Sequence, residues 1–251
     1  MKLIFNADDF GHTKAVNLGI LEAYFNGLVR STSIMAGKPG FDHAVTLARI
    51  APGLKIGVHL TLTSGKSVGG AYDTLTDGSG NFIRPPEEVA RRAREGLLDL
   101  GEVETEFEAQ IQKCLAAGLK PDHFDGHHHV QNLPGIVDVY LKFARKYGVK
   151  VRLYDHSLLR GEYACVGAAG LFSDGFYDET ATAAALKEIL SAAAGADSLE
   201  VMCHPGYVDW ALYTGSVYNI NRTRELQILT SDEMRSFVAD SGFELCSFSD
   251  L

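Results

Sequence analysis

The sequence predicts an α/β fold with a parallel sheet: a single domain over residues 1–251, built as a (β/α) barrel of about seven strands. Three observations carry this prediction. Short apolar runs alternate with stretches of helical period, no break in composition divides the chain, and glycines stand where helices should stop. A doubly wound sheet would show the same alternation. Seven units in 251 residues match the usual size of a barrel, about 250 residues.

The first strand is expected at 2–6, where an apolar run leads into NADDFG. Ile20, Leu21, Tyr24 and Phe25 then follow helical spacing as far as Gly27. Strands are expected next at 32–35 and 55–60. Val103, Phe107, Ile111 and Leu115 predict a helix closed by Gly118, ahead of a strand at 123–125. Ile136, Val139, Tyr140 and Phe143 predict another, closed by Gly148 ahead of a strand at 150–154. The alanine-rich stretch 181–194 reads as a plain helix. Gly195 precedes a strand at 199–203, and Gly242 precedes one at 243–248. Two connections, 61–86 and 155–180, are long and rich in glycine. Both follow strands, which assigns them to the C-terminal face of the sheet, where α/β enzymes assemble their sites.

Composition narrows the possible functions. A formal net charge of -9 leaves no basic stripe to neutralise phosphates, so nucleic acid is not expected as a partner. No stretch approaches the roughly 20 apolar residues of a spanning helix, and the apolar start is too short for a signal-peptide core. A cytoplasmic protein without a membrane partner is expected. The four cysteines are scattered without a CxxC pair, so any metal would rely on imidazoles and carboxylates.

Such groups stand at the predicted strand ends: Asp8 and Asp9 after the first, His59 near the end of the third, Asp125 with His127 and His129 at the fourth, and His204 after the sixth. Any one of them alone reads as a capping or hydrogen-bonded polar residue. Together, on one mouth of a parallel sheet, two imidazoles and a carboxylate make a three-ligand metal site with positions open to water or substrate. If DGHHHVQ continues extended, Asp125, His127, His129 and Gln131 face one way and His128 the other. His127 is then a candidate ligand, oriented by Asp125 or His129. In MCHPGY, Pro205 and Gly206 make a turn that leaves His204 at the mouth, where it can donate a proton near neutrality.

NADDFG, GVHLTLT, DGHHHVQ and MCHPGY, in this order at strand ends, resemble the YdjC-like family of carbohydrate deacetylases, including bacterial chitooligosaccharide deacetylases. Secondary matches are RSTSIMAG, LFSDGFYDE and RTRELQILTS, so the resemblance runs from Lys2 to about Phe248. It implies a distorted barrel and hydrolysis of the acetyl amide of an N-acetylated sugar. It also implies Asp9, His59 and His127 as metal ligands and Asp8 as base; His204 is then the proton donor. Family members are commonly described as magnesium-dependent homodimers, whereas two imidazoles and a carboxylate suit zinc, iron or cobalt better. The expected cofactor is therefore a divalent ion, Mg2+ or Zn2+. Gln131 stands where family members often have His.

Sugar contacts are expected from the long loops, with Tyr72, Phe82, Phe172, Phe176, Tyr177, Tyr207 and Trp210 as aromatic candidates and Arg222 for a hydroxyl or phosphate. Three rival readings share parts of this pattern. Another metal-dependent amidohydrolase or phosphoesterase would share the architecture, but amidohydrolases usually open with HxH at the first strand. A non-haem iron oxygenase would show HxD on a β-sandwich. A sugar-binding protein without catalysis would not need Asp8 and His204.

Overall fold

The structure, a computed structural model, describes residues 1–83 and 85–251. The chain begins β1 (Lys2–Phe10), α1 (Lys14–Phe25), β2 (Ser31–Ile34), α2 (Phe41–Ala48) and β3 (Lys55–Leu60). It continues α3 (Pro86–Arg94), α4 (Leu100–Ala116), β4 (His123–Gly126), α5 (Ile136–Tyr147), β5 (Lys150–Val151) and β6 (Leu171–Ser173). The remainder is α6 (Ala183–Ala192), β7 (Ser198–Cys203), α7 (Trp210–Gly215), α8 (Asn221–Thr230), α9 (Asp232–Asp240) and β8 (Glu244–Leu245). The class is the expected one, parallel strands joined by helices. Two compact units emerge: Met1–Ile34, Pro39–Ile56 and Ala169–Leu251 in the first, Met35–Lys38 and Gly57–Ala168 in the second.

In the first unit β1 is central, paired in parallel with β2, β7 and β8, while β6 lies outside β7. Every residue of β1 after Lys2 is buried, as is all of β7, as expected for parallel strands covered on both faces. Thr13 caps α1, its hydroxyl accepting from the Val16 amide at 3.3 Å. A Cβ on Gly19 of this helix would meet the Gly206 Cα at 2.5 Å, so glycine lets α1 press directly on the turn after β7.

In the second unit β3, β4 and β5 run parallel, with His59 in register with Asp125. The predicted apolar positions Val103, Phe107 and Ile111 of α4 are buried, and so are Ile136, Val139, Tyr140 and Phe143 of α5. Gly148 ends α5 at φ 65°, a left-handed cap.

Four sequence expectations need correction. The strand expected over 150–154 covers only two residues, as does the one expected over 243–248, because the chain leaves the ladder for turns. DGHHHVQ does not stay extended: after Gly126 it turns sharply, with a left-handed kink at His128 and His129, φ 55° and 53°. The long loop 155–180 contains β6, a partly exposed outer strand only three residues long. No helix among the described residues is long and apolar enough to cross a membrane.

Candidate active site

On the first unit, the end of β1 answers how two adjacent carboxylates can serve one mouth. A regular strand sends neighbours to opposite faces. Here Asp9 adopts a left-handed φ of 71° where the β1–β2 register shifts, which breaks the alternation. Such a conformation costs about 1–3 kcal/mol and is tolerated better by Asp than by most residues. Asp8, buried, accepts from Asn6 Nδ2 at 2.8 Å, and Asn6 is in turn held by Ser31 and Ser33.

Asp9 Oδ2 accepts from Arg222 Nη2 at 2.5 Å in a fully buried ion pair, and Arg222 Nε donates to the Tyr218 carbonyl at 3.0 Å. Sequence reading assigned Arg222 to substrate; its visible partner is Asp9. Its Nη1 has no hydrogen-bond partner among the described residues.

His204 sits among three groups. Its backbone N–H donates to Glu225 Oε2 at 2.5 Å, and its Nδ1 lies 3.9 Å from Glu225 Oε1. Its ring meets Tyr177 and Tyr218 edge-on at 5.4 and 5.5 Å, and those two rings stack on each other at 4.2 Å. The Tyr218 hydroxyl donates to Glu225. Burial, opposed by these hydrogen bonds and by Arg222 but reinforced by Asp8, pushes the Glu225 carboxyl up to about 8. Glu225 therefore holds a proton beside His204 near neutrality.

This shift has a defined sign. Because the folded pKa is raised from 4.5, Glu225 favours folding fully below about 4.5, and that contribution is lost as pH rises through 8. Glu225→Gln, which keeps the shape without the titration, should flatten this fall, a few kcal/mol at most. Urea unfolding at pH 5 and pH 9 checks it: the stability difference between the two pH values should be smaller in the variant.

On the second unit, parallel register puts His59 and Asp125 side by side, and His59 Nδ1 lies 2.8 Å from Asp125 Oδ1. Arg152 Nη2 reaches Asp125 Oδ2 at 3.3 Å, and all three residues are buried. Burial alone would raise Asp125, but its contact with His59 and the charge of Arg152 hold it well below the usual carboxylate range. An ionised Asp125 can only accept, so Nδ1 of His59 carries the proton and the lone pair lies on Nε2, the arrangement typical of a metal-binding imidazole. Asp125 thus orients His59. The His127 ring meets His59 edge-on at 5.4 Å, and His129 packs edge-on against Tyr154 at 5.3 Å.

The sequence pattern of the YdjC-like proteins matches residues 2–240. The chain belongs to the YdjC-like family. A carbohydrate deacetylase of Brevibacillus brevis is 41% identical, and one of Listeria welshimeri 40%, each alignment covering the full length of both chains. A crystal structure from Enterococcus faecalis, described provisionally as a cellobiose-phosphate cleavage protein, is 34% identical. It superposes with a TM-score of 0.89 over 99% of this chain and 98% of that one.

In this YdjC-like protein the loop aromatics divide. Phe82 and Phe176 are buried core residues, and the Tyr72 hydroxyl donates to Glu106 at 3.0 Å. Tyr177, Tyr207 and Trp210 are exposed, at 38%, 44% and 76%. Sequence reading missed Asn6, Arg152, Tyr218 and Glu225. One signal was available: Arg222 and Glu225 are three apart on α8, but that spacing usually marks a surface ion pair.

Proposed function

We propose that this YdjC-like protein is a metal-dependent carbohydrate deacetylase that hydrolyses the acetyl amide of N-acetylated sugars or chito-oligosaccharides. The observation that carries the reading is full-length identity of 41% and 40% to proteins named carbohydrate deacetylase. The strand-end residues supply the chemistry such a reaction requires.

By the resemblance to the YdjC-like family, Asp9, His59 and His127 would be the residues that hold the metal ion. Asp125 is not one of these ligands, because its two oxygens already serve His59 and Arg152. The fixed tautomer of His59 fits metal ligation, and two imidazoles with one carboxylate suit a borderline ion such as Zn2+, while family usage favours Mg2+. A divalent ion bound there would polarise the acetyl carbonyl and lower the pKa of water from 15.7 toward about 7.

The remaining work belongs to the chain. Asp8, held by Asn6, accepts the proton of the attacking water. His204, backed by Glu225, gives a proton to the departing sugar amine, which cannot leave as an amide anion. Backbone N–H groups share the oxyanion charge. Tyr177 and Tyr207 offer faces on which a sugar ring can pack, and Arg222 acts through Asp9. A cytoplasmic homodimer completes the proposal.

Acetate release from N-acetylated chito-oligosaccharides with added metal tests the activity, with phosphorylated disaccharides, phosphate esters and other amides compared in parallel. Phosphate release without acetate release would overturn it. His204→Ala should lower turnover about 10²- to 10⁴-fold with the metal retained; unchanged turnover would remove its acid role.

A further inference from the structure

We propose that Thr63 is a positioning residue for His127, acting through His128. The inference rests on the metal site proposed above. Thr63 Oγ1 lies 2.9 Å from His128 Nδ1, and the His128 ring lies against the His127 ring, centroids 3.9 Å apart and planes tilted by 37°. His128 is exposed and its backbone is left-handed, so the turn itself does not fix where this ring lies. The bond to Thr63 does.

Thr63 is itself rigidly placed. It is 1% exposed, and its amide donates to Thr61 Oγ1 at 3.3 Å. Thr61 is clasped by Gln110 of α4, whose Oε1 accepts from the Thr61 amide at 3.0 Å and whose Nε2 donates to the Thr61 carbonyl at 2.7 Å. The same Nε2 donates to Glu106, which accepts from the Val68 and Gly69 amides further along the loop. The loop after β3 is thus moored to α4, and Thr63 passes that order to His128. A flat ring laid on one face of His127 limits its rotation and so sets the direction of its ligating lone pair. His59 receives the same service from Asp125 through a hydrogen bond; His127 receives it through ring contact.

Titration with Co2+, followed by its visible absorption, tests this on the full chain. Thr63→Val keeps the shape and removes the hydroxyl. It should weaken Co2+ binding about 10- to 100-fold, the usual effect of losing an outer partner of a ligand, and alter the absorption bands. The melting temperature of the metal-stripped protein should stay that of wild type. Thr63→Ser should restore both affinity and spectrum. His128→Phe, which keeps a ring without Nδ1, should reproduce the loss, and the double variant should be no weaker than either single one. Wild-type Co2+ affinity and spectrum in Thr63→Val would overturn the inference. Absence of Co2+ binding by the wild type would instead overturn the metal site on which it rests.

Discussion

Asp9→Ala should abolish deacetylation and destabilise the folded chain at the same time. The first effect follows from losing the carboxylate among three proposed ligands. A metal's stabilisation of the transition state is worth several kcal/mol, so turnover should fall by about three orders of magnitude or more. The second follows from Arg222, 2% exposed, whose Nη2 is paired with Asp9. Removing one partner of a buried ion pair costs about 3–5 kcal/mol, because the other charge stays behind without compensation. The two effects separate in Asp9→Ala with Arg222→Met. An apolar, flexible side chain in place of the guanidinium should return most of the stability, read by urea unfolding, and none of the turnover. Recovery of turnover in the double variant would show that Asp9 serves only to neutralise Arg222.

Asp125→Asn carries the next largest effect. An ionised carboxylate admits only the His59 tautomer with the proton on Nδ1, whereas an amide can offer either an acceptor or a donor. Metal affinity should fall about 10- to 100-fold, and activity with it at limiting metal. The pH dependence has the opposite sign to that of Glu225. The folded pKa of Asp125 is depressed below 3.8, so its contribution to stability is present above that value and is lost as pH falls through the folded pKa. The stability gap between wild type and Asp125→Asn should therefore narrow on acidification. A gap that widens toward low pH would contradict the electrostatic role given to Arg152 and His59.

What the sequence made legible, and what it hid, follows from the range of the interactions. The helices at 103–115 and 136–143 were visible because their apolar period is local, and the strand-end motifs because each is contiguous. Arg222 and Asp9 are 213 positions apart, and no local pattern marks that pair. Arg152 was hidden in the same way: a cation just after a two-residue strand gives no sign that it is buried against Asp125. DGHHHVQ was misread because alternation assumes extended backbone, while His128 and His129 turn left-handed, a conformation no rule of period anticipates. The contact between Asp125 and His59 was hidden because parallel register, not nearness in sequence, makes it. Strand β6 was missed because it is only three residues long, too short to stand out as an apolar run.

The central claim is that Asp9, His59 and His127 jointly bind one divalent ion on which amide hydrolysis depends. Equilibrium dialysis with Zn2+ and with Mg2+, run beside acetate release on the same samples of wild type and of the three alanine variants, tests it most directly. One ion per chain is expected in the wild type, with activity proportional to occupancy and with both lost in each variant. Full acetate release from chelator-stripped protein, or one bound ion per chain in all three variants, would contradict it.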